Sequence, residues 1–154
     1  IGEVGLDFSR EGFSTKDVQI KSFKFVLDCI RTKNKILSLH SRRAEKETLE
    51  MLIEKGIENA IFHWYSGSLN VLRNIANSGF FFSINSAMIQ SDNGRKIIAE
   101  IPKELILTET DFPYIENDDI TSIYVWLSKL WNTTTKDVEL TIDANFQRLI
   151  RRIK

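Results

Sequence analysis

One β-α-β unit can be read directly from residues 36–63, ILSLHSRRAEKETLEMLIEKGIENAIFH. A short apolar run ends at His40, an amphipathic stretch over 44–55 stops at Gly56, and a second apolar run ends at His63. Helical periodicity followed by a glycine is typical of a helix and its end. Because two strands joined by a helix lie parallel, the pattern places both histidines at the carboxyl edge of one sheet.

The same alternation extends along the chain and predicts an α/β fold built on a parallel sheet. In a parallel barrel and in an open doubly wound sheet alike, ligands bind at the carboxyl ends of the strands. No linker or repeat interrupts the pattern, so we expect one domain or part of one. The predicted strands are 1–5, 36–40, 60–63, 80–84 and 105–109, and the predicted helices are 14–33, 44–55, 69–77, 93–100, 119–132 and 135–152.

Composition is that of a globular domain with no charge bias. Among 154 residues, 21 lysines and arginines balance 21 aspartates and glutamates, so net charge alone predicts neither a nucleic-acid nor a membrane partner. The single cysteine, Cys29, excludes an internal disulfide and is compatible with a reducing, cytoplasmic compartment. Its apolar neighbours predict a buried structural thiol. No apolar run approaches the roughly 20 residues that span a bilayer.

Four side chains with metal-binding chemistry lie in the predicted strands or directly after them. These are Glu3, His40, His63 and Asp111, and the two histidines are the only ones in the chain. Imidazole and carboxylate together suit the divalent metals that activate water and neutralise a phosphoryl group. Taken singly, each histidine is more typical of a hydrogen-bonded core residue, and each carboxylate is more typical of a cap. Their recurrence at successive strand ends makes a metal site an equal alternative to these structural roles.

Four ordered motifs and a closing segment surround the candidate ligands. The motifs are Gly2-Glu3-Val4-Gly5-Leu6-Asp7, Leu39-His40-Ser41-Arg42, Phe62-His63-Trp64-Tyr65-Ser66-Gly67-Ser68 and Thr108-Glu109-Thr110-Asp111-Phe112-Pro113-Tyr114, and the closing segment is Asn145-Phe146-Gln147-Arg148-Leu149. Together they resemble the TatD family of metal-dependent deoxyribonucleases, and the likeness covers the chain nearly end to end. It implies a TIM-like (β/α)8 barrel that hydrolyses DNA phosphodiester bonds, usually as a 3′ to 5′ exonuclease.

The resemblance also implies roles for individual residues. Glu3 matches a carboxylate that bridges two divalent ions (Mg, Mn or Zn), and His40 and His63 match the imidazoles of one ion. Asp111 matches the carboxylate of the other ion and helps to orient or deprotonate the attacking water, so Asp111 and Glu3 are the expected catalytic residues. Two further acidic side chains match positions beside these ligands, where carboxylates commonly orient histidines: Asp7 and Glu109.

Further side chains near the histidines are candidates for binding DNA, and each has a plainer alternative. Arg42 can pair with a phosphate or remain solvated. Ser66 and Ser68 at a helix start can cradle a phosphate or simply cap the helix. Trp64 can stack on a terminal base, whereas packing is the alternative for Trp64 or its neighbour Tyr65. We therefore expect a DNA partner, as single strands or 3′ ends.

Two departures from the family pattern stand out. The family's first strand carries His-x-His, which this chain does not contain, and five predicted strands are three short of eight. At roughly 25–30 residues per β/α unit, about 80 residues are expected before Ile1, which makes 1–154 the C-terminal portion of a single barrel. The family's basic segment after the Asp-x-Pro-Tyr motif is replaced by the acidic residues 116–119, which would repel a DNA backbone.

Finer details are similar to one sub-branch of the family. Trp64-Tyr65, the segment 85–88 and the segment 108–113 resemble the TatD-like component of the Qat antiphage cassette. That likeness implies a role in antiviral defence with protein partners from the same system. Two alternative functions remain open: a non-catalytic scaffold subunit of a defence complex, and an amidohydrolase-type hydrolase of a small ester or amide.

Overall fold

A computed structural model describes residues 1–111, 114–115 and 119–153. Five strands pair side by side in chain order, and every pair is parallel. The predicted α/β fold with a parallel sheet is thereby confirmed, while closure into eight strands stays a prediction. The strands are β1 (Val4–Gly5), β2 (Leu37–His40), β3 (Ala60–His63), β4 (Phe81–Ile84) and β5 (Ile106–Thr108).

Seven α-helices accompany these strands in the described part of the chain. Six of them lie where the sequence predicts, and none is long and apolar enough to cross a membrane. A short helix after β4 is additional, and it begins where the Asn85 carboxamide oxygen accepts from the Met88 N–H at 3.2 Å. The helices are α1 (Lys16–Ile30), α2 (Glu45–Glu54), α3 (Leu69–Asn77), α4 (Ser86–Gln90), α5 (Asp92–Glu100), α6 (Ile120–Trp131) and α7 (Thr135–Arg151).

Strand register sorts the side chains onto two faces of the sheet. One row crosses all five strands and consists of Val4, Leu39, Phe62, Phe82 and Ile106. The last four are fully buried in the hydrophobic core. Because side chains alternate along a strand, the next row points away from this face. That next row holds the final residue of β2 and of β3, which are the two histidines.

The prediction of a buried Cys29 is wrong, since the thiol is exposed. The inward face of α1 is formed by Phe23, Leu27 and Ile30, spaced at helical intervals. Cys29 lies off this stripe, as does Phe25, which is also exposed. The helix carries apolar residues all round, so its sequence does not reveal which face is buried.

Candidate active site

Close packing of β1 against β2 sets the position of the acidic residues on either side of β1. The Leu6 N–H donates to the His40 carbonyl and the Phe8 N–H to the Arg42 carbonyl, each at 2.9 Å. Gly5 has a φ of +145°, and a Cβ there would overlap the His40 carbonyl oxygen. A glycine is therefore required between Glu3 and Asp7, and it lets the chain run close beside His40.

The Glu3 carboxylate lies between the two histidines. Its Oε2 is 3.6 Å from His40 Nδ1 and its Oε1 is 3.2 Å from His63 Nε2. Asp111 approaches the same nitrogen of His63, with Oδ1 at 3.8 Å. One donor atom each from Glu3, His63 and Asp111 lies within 4.8 Å of the others, which is close enough for the three to share a cation.

Each imidazole has a second carboxylate on the opposite side of its ring. Asp7 Oδ2 lies 3.3 Å from His40 Nε2, and Glu109 Oε1 lies 2.7 Å from His63 Nδ1. The backbone holds Glu109 in place because its N–H donates to the Ile84 carbonyl at 3.0 Å. A carboxylate behind a histidine fixes the ring orientation and makes the other nitrogen a better ligand.

These carboxylates change the proton affinity of their partners. Burial acts to lower the pKa of His63, but the hydrogen bond and charge of Glu109, with the charges of Glu3 and Asp111, raise that pKa above its ordinary value. For Asp7, burial acts to raise the pKa, but hydrogen bonds from Ser9 and from His40 lower it overall. The site is thus rich in negative charge, which favours a bound cation.

The donor set fits a divalent ion, with one difference from the expected arrangement. The tight group contains Glu3, His63 and Asp111, whereas His40 is held apart between Glu3 and Asp7. Two oxygens and one imidazole nitrogen suit Mg, Mn or Zn. Since Glu3 also faces His40, a second ion between these two residues is compatible with the same carboxylate acting as a bridge.

Two cavities meet at the histidines, and Trp64 lines both. The first, of about 580 Å³, is bounded by Glu3, His40, His63, Trp64, Asp111 and Tyr114. The second, of about 400 Å³ and here called the Arg42 cavity, is bounded by His40, Ser41, Arg42, His63, Trp64 and Ser66. The Trp64 ring meets the His63 ring edge-on, with centroids 6.3 Å apart. Trp64 has a φ of +39°, a strained conformation for a bulky residue.

Some of the remaining candidates for DNA binding line the Arg42 cavity, and others stabilise the fold. Arg42 lines the cavity and pairs with Glu11, with Nη1 at 3.3 Å from Oε2. Ser68 is the N-cap of α3, where its hydroxyl accepts from the Val71 N–H at 3.4 Å. Tyr65 is buried and packs in the core, which leaves Trp64 as the exposed aromatic of the pair.

The acidic segment after Asp111 is described only in part, since 116–118 lie outside the described residues, as do 112–113. Asp119 is described and caps α6, with Oδ1 accepting from the Thr121 N–H at 2.9 Å. Its carboxylate therefore has a structural role. Sequence reasoning missed Tyr114, which is 86% exposed and borders the 580 Å³ cavity beside Glu3 and Asp111. The only signal for it was its place in the Asp-x-Pro-Tyr motif.

The C-terminal motif, residues 145–149, lies away from this site and, together with Arg152, attaches α7 to the segments that precede β4 and β5. Asn145 is buried, and its Nδ2 donates to the carbonyls of Lys103 and Ile106, each at 2.8 Å. Arg148 donates to the Glu104 carbonyl, and Arg152 donates to the Gly79 carbonyl at 3.0 Å. These arginines satisfy backbone acceptors near the amino ends of the strands, opposite the histidines.

Comparison with known proteins shows the family to which the chain belongs. The sequence profile of the family described as TatD related DNase matches residues 1–151, and the chain belongs to that family. The human protein named Deoxyribonuclease TATDN3 is 32% identical over 116 residues, which cover 73% of this chain and 42% of that protein. A Bacillus subtilis protein named Uncharacterized metal-dependent hydrolase YabD is 26% identical over 98% of this chain and 64% of its own length.

A solved structure shows the same fold. The hydrolase TatD family protein from Entamoeba histolytica superimposes with a TM-score of 0.82 at 19% identity, covering 97% of this chain and 62% of that protein. The chain thus spans less than two thirds of the relatives described here. The family of metal-dependent hydrolases that the motifs predict is confirmed.

Proposed function

We propose that residues 1–154 are the C-terminal portion of a single TatD-type barrel that hydrolyses DNA phosphodiester bonds as a 3′ to 5′ exonuclease. The observation that carries this proposal is the Glu3 carboxylate, whose two oxygens face different imidazoles while Asp111 approaches from a third side. A pure scaffold has no physical need for this arrangement of charged groups. The names of the relatives, deoxyribonuclease and metal-dependent hydrolase, support the reaction class.

Two divalent ions (Mg, Mn or Zn) fit the proposed ligands Glu3, His40, His63 and Asp111. When bound, such ions lower the pKa of water and neutralise charge on the phosphoryl group. Glu109 and Asp7 orient the two histidines from behind, so that the ring nitrogens facing Glu3 are held in place. Asp111 orients the attacking water and accepts its proton.

The two cavities suit a nucleic-acid end. With the scissile phosphate beside Glu3 and Asp111, a neighbouring nucleotide would enter the Arg42 cavity, where the Arg42 guanidinium and the Ser66 backbone N–H would face a phosphate. Trp64 lies between the cavities and provides a face for a base. An unpaired base is needed for stacking, which favours single strands or frayed 3′ ends. Ser68 contributes by fixing the start of α3.

A role in antiviral defence, with partners of a Qat-type complex and a cytoplasmic location, is the narrower part of the proposal. It is supported by the resemblance of Trp64-Tyr65 and of the segments 85–88 and 108–113 to the TatD-like component of the Qat cassette. The alternatives are a scaffold subunit and a hydrolase of small esters or amides. Assays of DNA cleavage and of ester hydrolysis distinguish a deoxyribonuclease from these two alternatives.

The test uses the complete gene product, metal analysis and end-labelled single-stranded DNA in Mg or Mn. We expect shortening from the 3′ end that requires metal and is lost in Asp111→Asn, while Asp17→Asn on the exposed start of α1 retains it. Metal binding without DNA cleavage but with ester hydrolysis would support the small-substrate alternative. Absence of both metal and cleavage would support the scaffold.

A further inference from the structure

Glu45 is a partly buried carboxylate to which the proposed reaction assigns no role. It is the first residue of α2 and follows His40 by five positions. Burial raises its pKa, while hydrogen bonds from its own N–H, from the Arg43 N–H and from the Ser66 hydroxyl act to lower it. Glu45 begins α2, directly after the loop that follows β2. Its carboxyl group lies beside Gly67, on the loop that follows β3, so it lies between two loops that each follow a histidine.

Gly67 shows how closely the second loop approaches Glu45. A Cβ added at Gly67 would lie 2.8 Å from the Glu45 carboxyl carbon and 2.6 Å from the Tyr65 hydroxyl oxygen. Both distances are shorter than real Cβ atoms show. The backbone at 66–68, here called the Ser66 turn, thus lies close against the carboxyl group of Glu45, and a side chain at Gly67 would displace Glu45 or Tyr65.

Tyr65 supports the same turn from the core. Its ring is buried, and its hydroxyl donates to the Ser68 carbonyl at 2.7 Å. The Ser66 turn is therefore held between Tyr65 and Glu45. Loss of the Glu45 contact would free the exposed end of the turn, which includes Ser66, while Tyr65 and the Ser68 cap keep α3 folded.

We propose that Glu45 is a positioning residue that joins the loop after β2 to the Ser66 turn and so fixes the width of the Arg42 cavity. Arg42 lies on the first loop, and Trp64 and Ser66 lie on the second, so both walls of the cavity are set by the same carboxylate. A carboxylate at a helix start is stabilised by the N-terminal end of the helix, which favours this anchor. The expected effect on substrate rests on the proposed function, because it takes the Arg42 cavity to bind DNA.

The first test measures the turn without any substrate. We expect Glu45→Ala to speed amide hydrogen exchange in the peptide covering 64–69 by about tenfold, as expected for local opening of a segment that has lost its anchor. Exchange in β2 and β3 stays at the wild-type rate. Glu47→Ala is the matched control, because Glu47 is an exposed acid in the same first turn of α2. Wild-type exchange in Glu45→Ala would overturn the anchoring role.

The second test distinguishes a positioning role of Glu45 from a general loss of structure or activity. In the complete protein, we expect Glu45→Ala to raise KM for single-stranded DNA about tenfold, while kcat stays within about twofold and the metal content is unchanged. The reason is that a wall of the Arg42 cavity moves, whereas the metal ligands stay in place. Glu45→Gln retains an acceptor oxygen and keeps KM within about threefold. Ser66→Ala added to Glu45→Ala has less effect than it has alone, because the two side chains act together.

The outcomes distinguish the two proposals. If the wild type neither binds nor cleaves DNA, the proposed function fails, while the exchange experiment still decides whether Glu45 anchors the turn. A different result is that exchange rises in Glu45→Ala while KM stays unchanged and while Glu45→Ala, added to Asp111→Asn, leaves the affinity for DNA unchanged. That result would overturn the proposal that Glu45 fixes the width of the Arg42 cavity.

Discussion

Glu109 Oε1 lies 2.7 Å from His63 Nδ1, on the far side of the ring from Glu3. His63 is therefore clamped between two carboxylates, one from the end of β5 and one from the start of β1. This arrangement fixes the tautomer that presents Nε2 toward Glu3 and Asp111.

Glu109→Gln should weaken metal binding by about 10- to 100-fold, because an amide neither orients the His63 ring as firmly nor increases its basicity. Titration with Mn or Zn measures the effect directly, without an assay of activity. Glu104→Gln is the control, because that side chain is exposed near the opposite end of β5. Equal affinity in Glu109→Gln and wild type would contradict the orienting role.

Trp64→Ala should weaken the binding of single-stranded DNA by a factor that corresponds to about 1–3 kcal/mol, the usual contribution of one stacked base. Trp64→Phe keeps an aromatic face on the same backbone and should recover most of the affinity. The measurement is binding of a fluorescent oligonucleotide to each variant in an Asp111→Asn background, where the DNA is not degraded. A loss that Phe does not restore would point to packing against His63 instead of stacking.

Gly5→Ala should lower the free energy of unfolding by more than about 2 kcal/mol, because it combines a strained φ with a clash against the His40 carbonyl. Gly56→Ala provides the comparison. Gly56 has a φ of +64° and no atom within 4 Å of an added Cβ, so its cost is the backbone term alone, roughly 1–2 kcal/mol. Urea denaturation of both variants gives the difference, and equal costs would show that β1 tolerates displacement from β2.

Asn145→Ala should lower the free energy of unfolding by about 2–4 kcal/mol, because the carbonyls of Lys103 and Ile106 both lose their donor. Gln147→Ala on the exposed side of α7 should change it by less than about 0.5 kcal/mol. Chemical denaturation followed by circular dichroism provides the measurement. Metal affinity of the folded Asn145→Ala protein should equal that of the wild type, since the motif lies opposite the histidines.

The free energy of unfolding should depend on pH through the ionisation of Asp137. Hydrogen bonds from the Thr134 and Thr133 hydroxyls and the Thr134 N–H lower its pKa below the ordinary value of 3.8. A lowered pKa in the folded state means that the contribution to stability is complete above the unfolded pKa and disappears as pH falls through the folded pKa.

The gap in unfolding free energy between wild type and Asp137→Asn should therefore be constant near neutral pH and should close below pH 3.8. Thr134→Ala, which removes the reciprocal cap, should cost about 1 kcal/mol at neutral pH. NMR titration of the Asp137 carboxyl carbon reports the pKa itself. A pKa at or above 3.8 would contradict the capping box as its cause.

The regular elements were predictable because each is a local pattern. The apolar runs before His40 and His63 are β2 and β3, and the glycine at 56 follows the end of α2. The five-residue α4 was missed because it depends on a single capping contact from Asn85 rather than on helical periodicity. The exposure of Cys29 was missed because α1 has apolar residues on two faces, and only tertiary packing selects between them.

The site was predictable as a set of residue types, but not as a set of contacts. Strand ends indicated where Glu3, His40, His63 and Asp111 would gather. Sequence could not show that His40 lies between Glu3 and Asp7, because that depends on the path of β1 past Gly5. The contact of Glu45 with Gly67 was equally hidden, since it joins residues 22 positions apart through two loops.

His40 and His63 are each the last residue of a strand, and their backbones are fixed by the sheet. The loops that carry Arg42 and the Ser66 turn begin immediately afterwards and are held by side chains. Insertions or deletions in those loops would therefore leave the two imidazoles where they are. Substrate preference can diverge in this scaffold by changes in loop length alone, while the chemistry at the sheet edge is inherited unchanged.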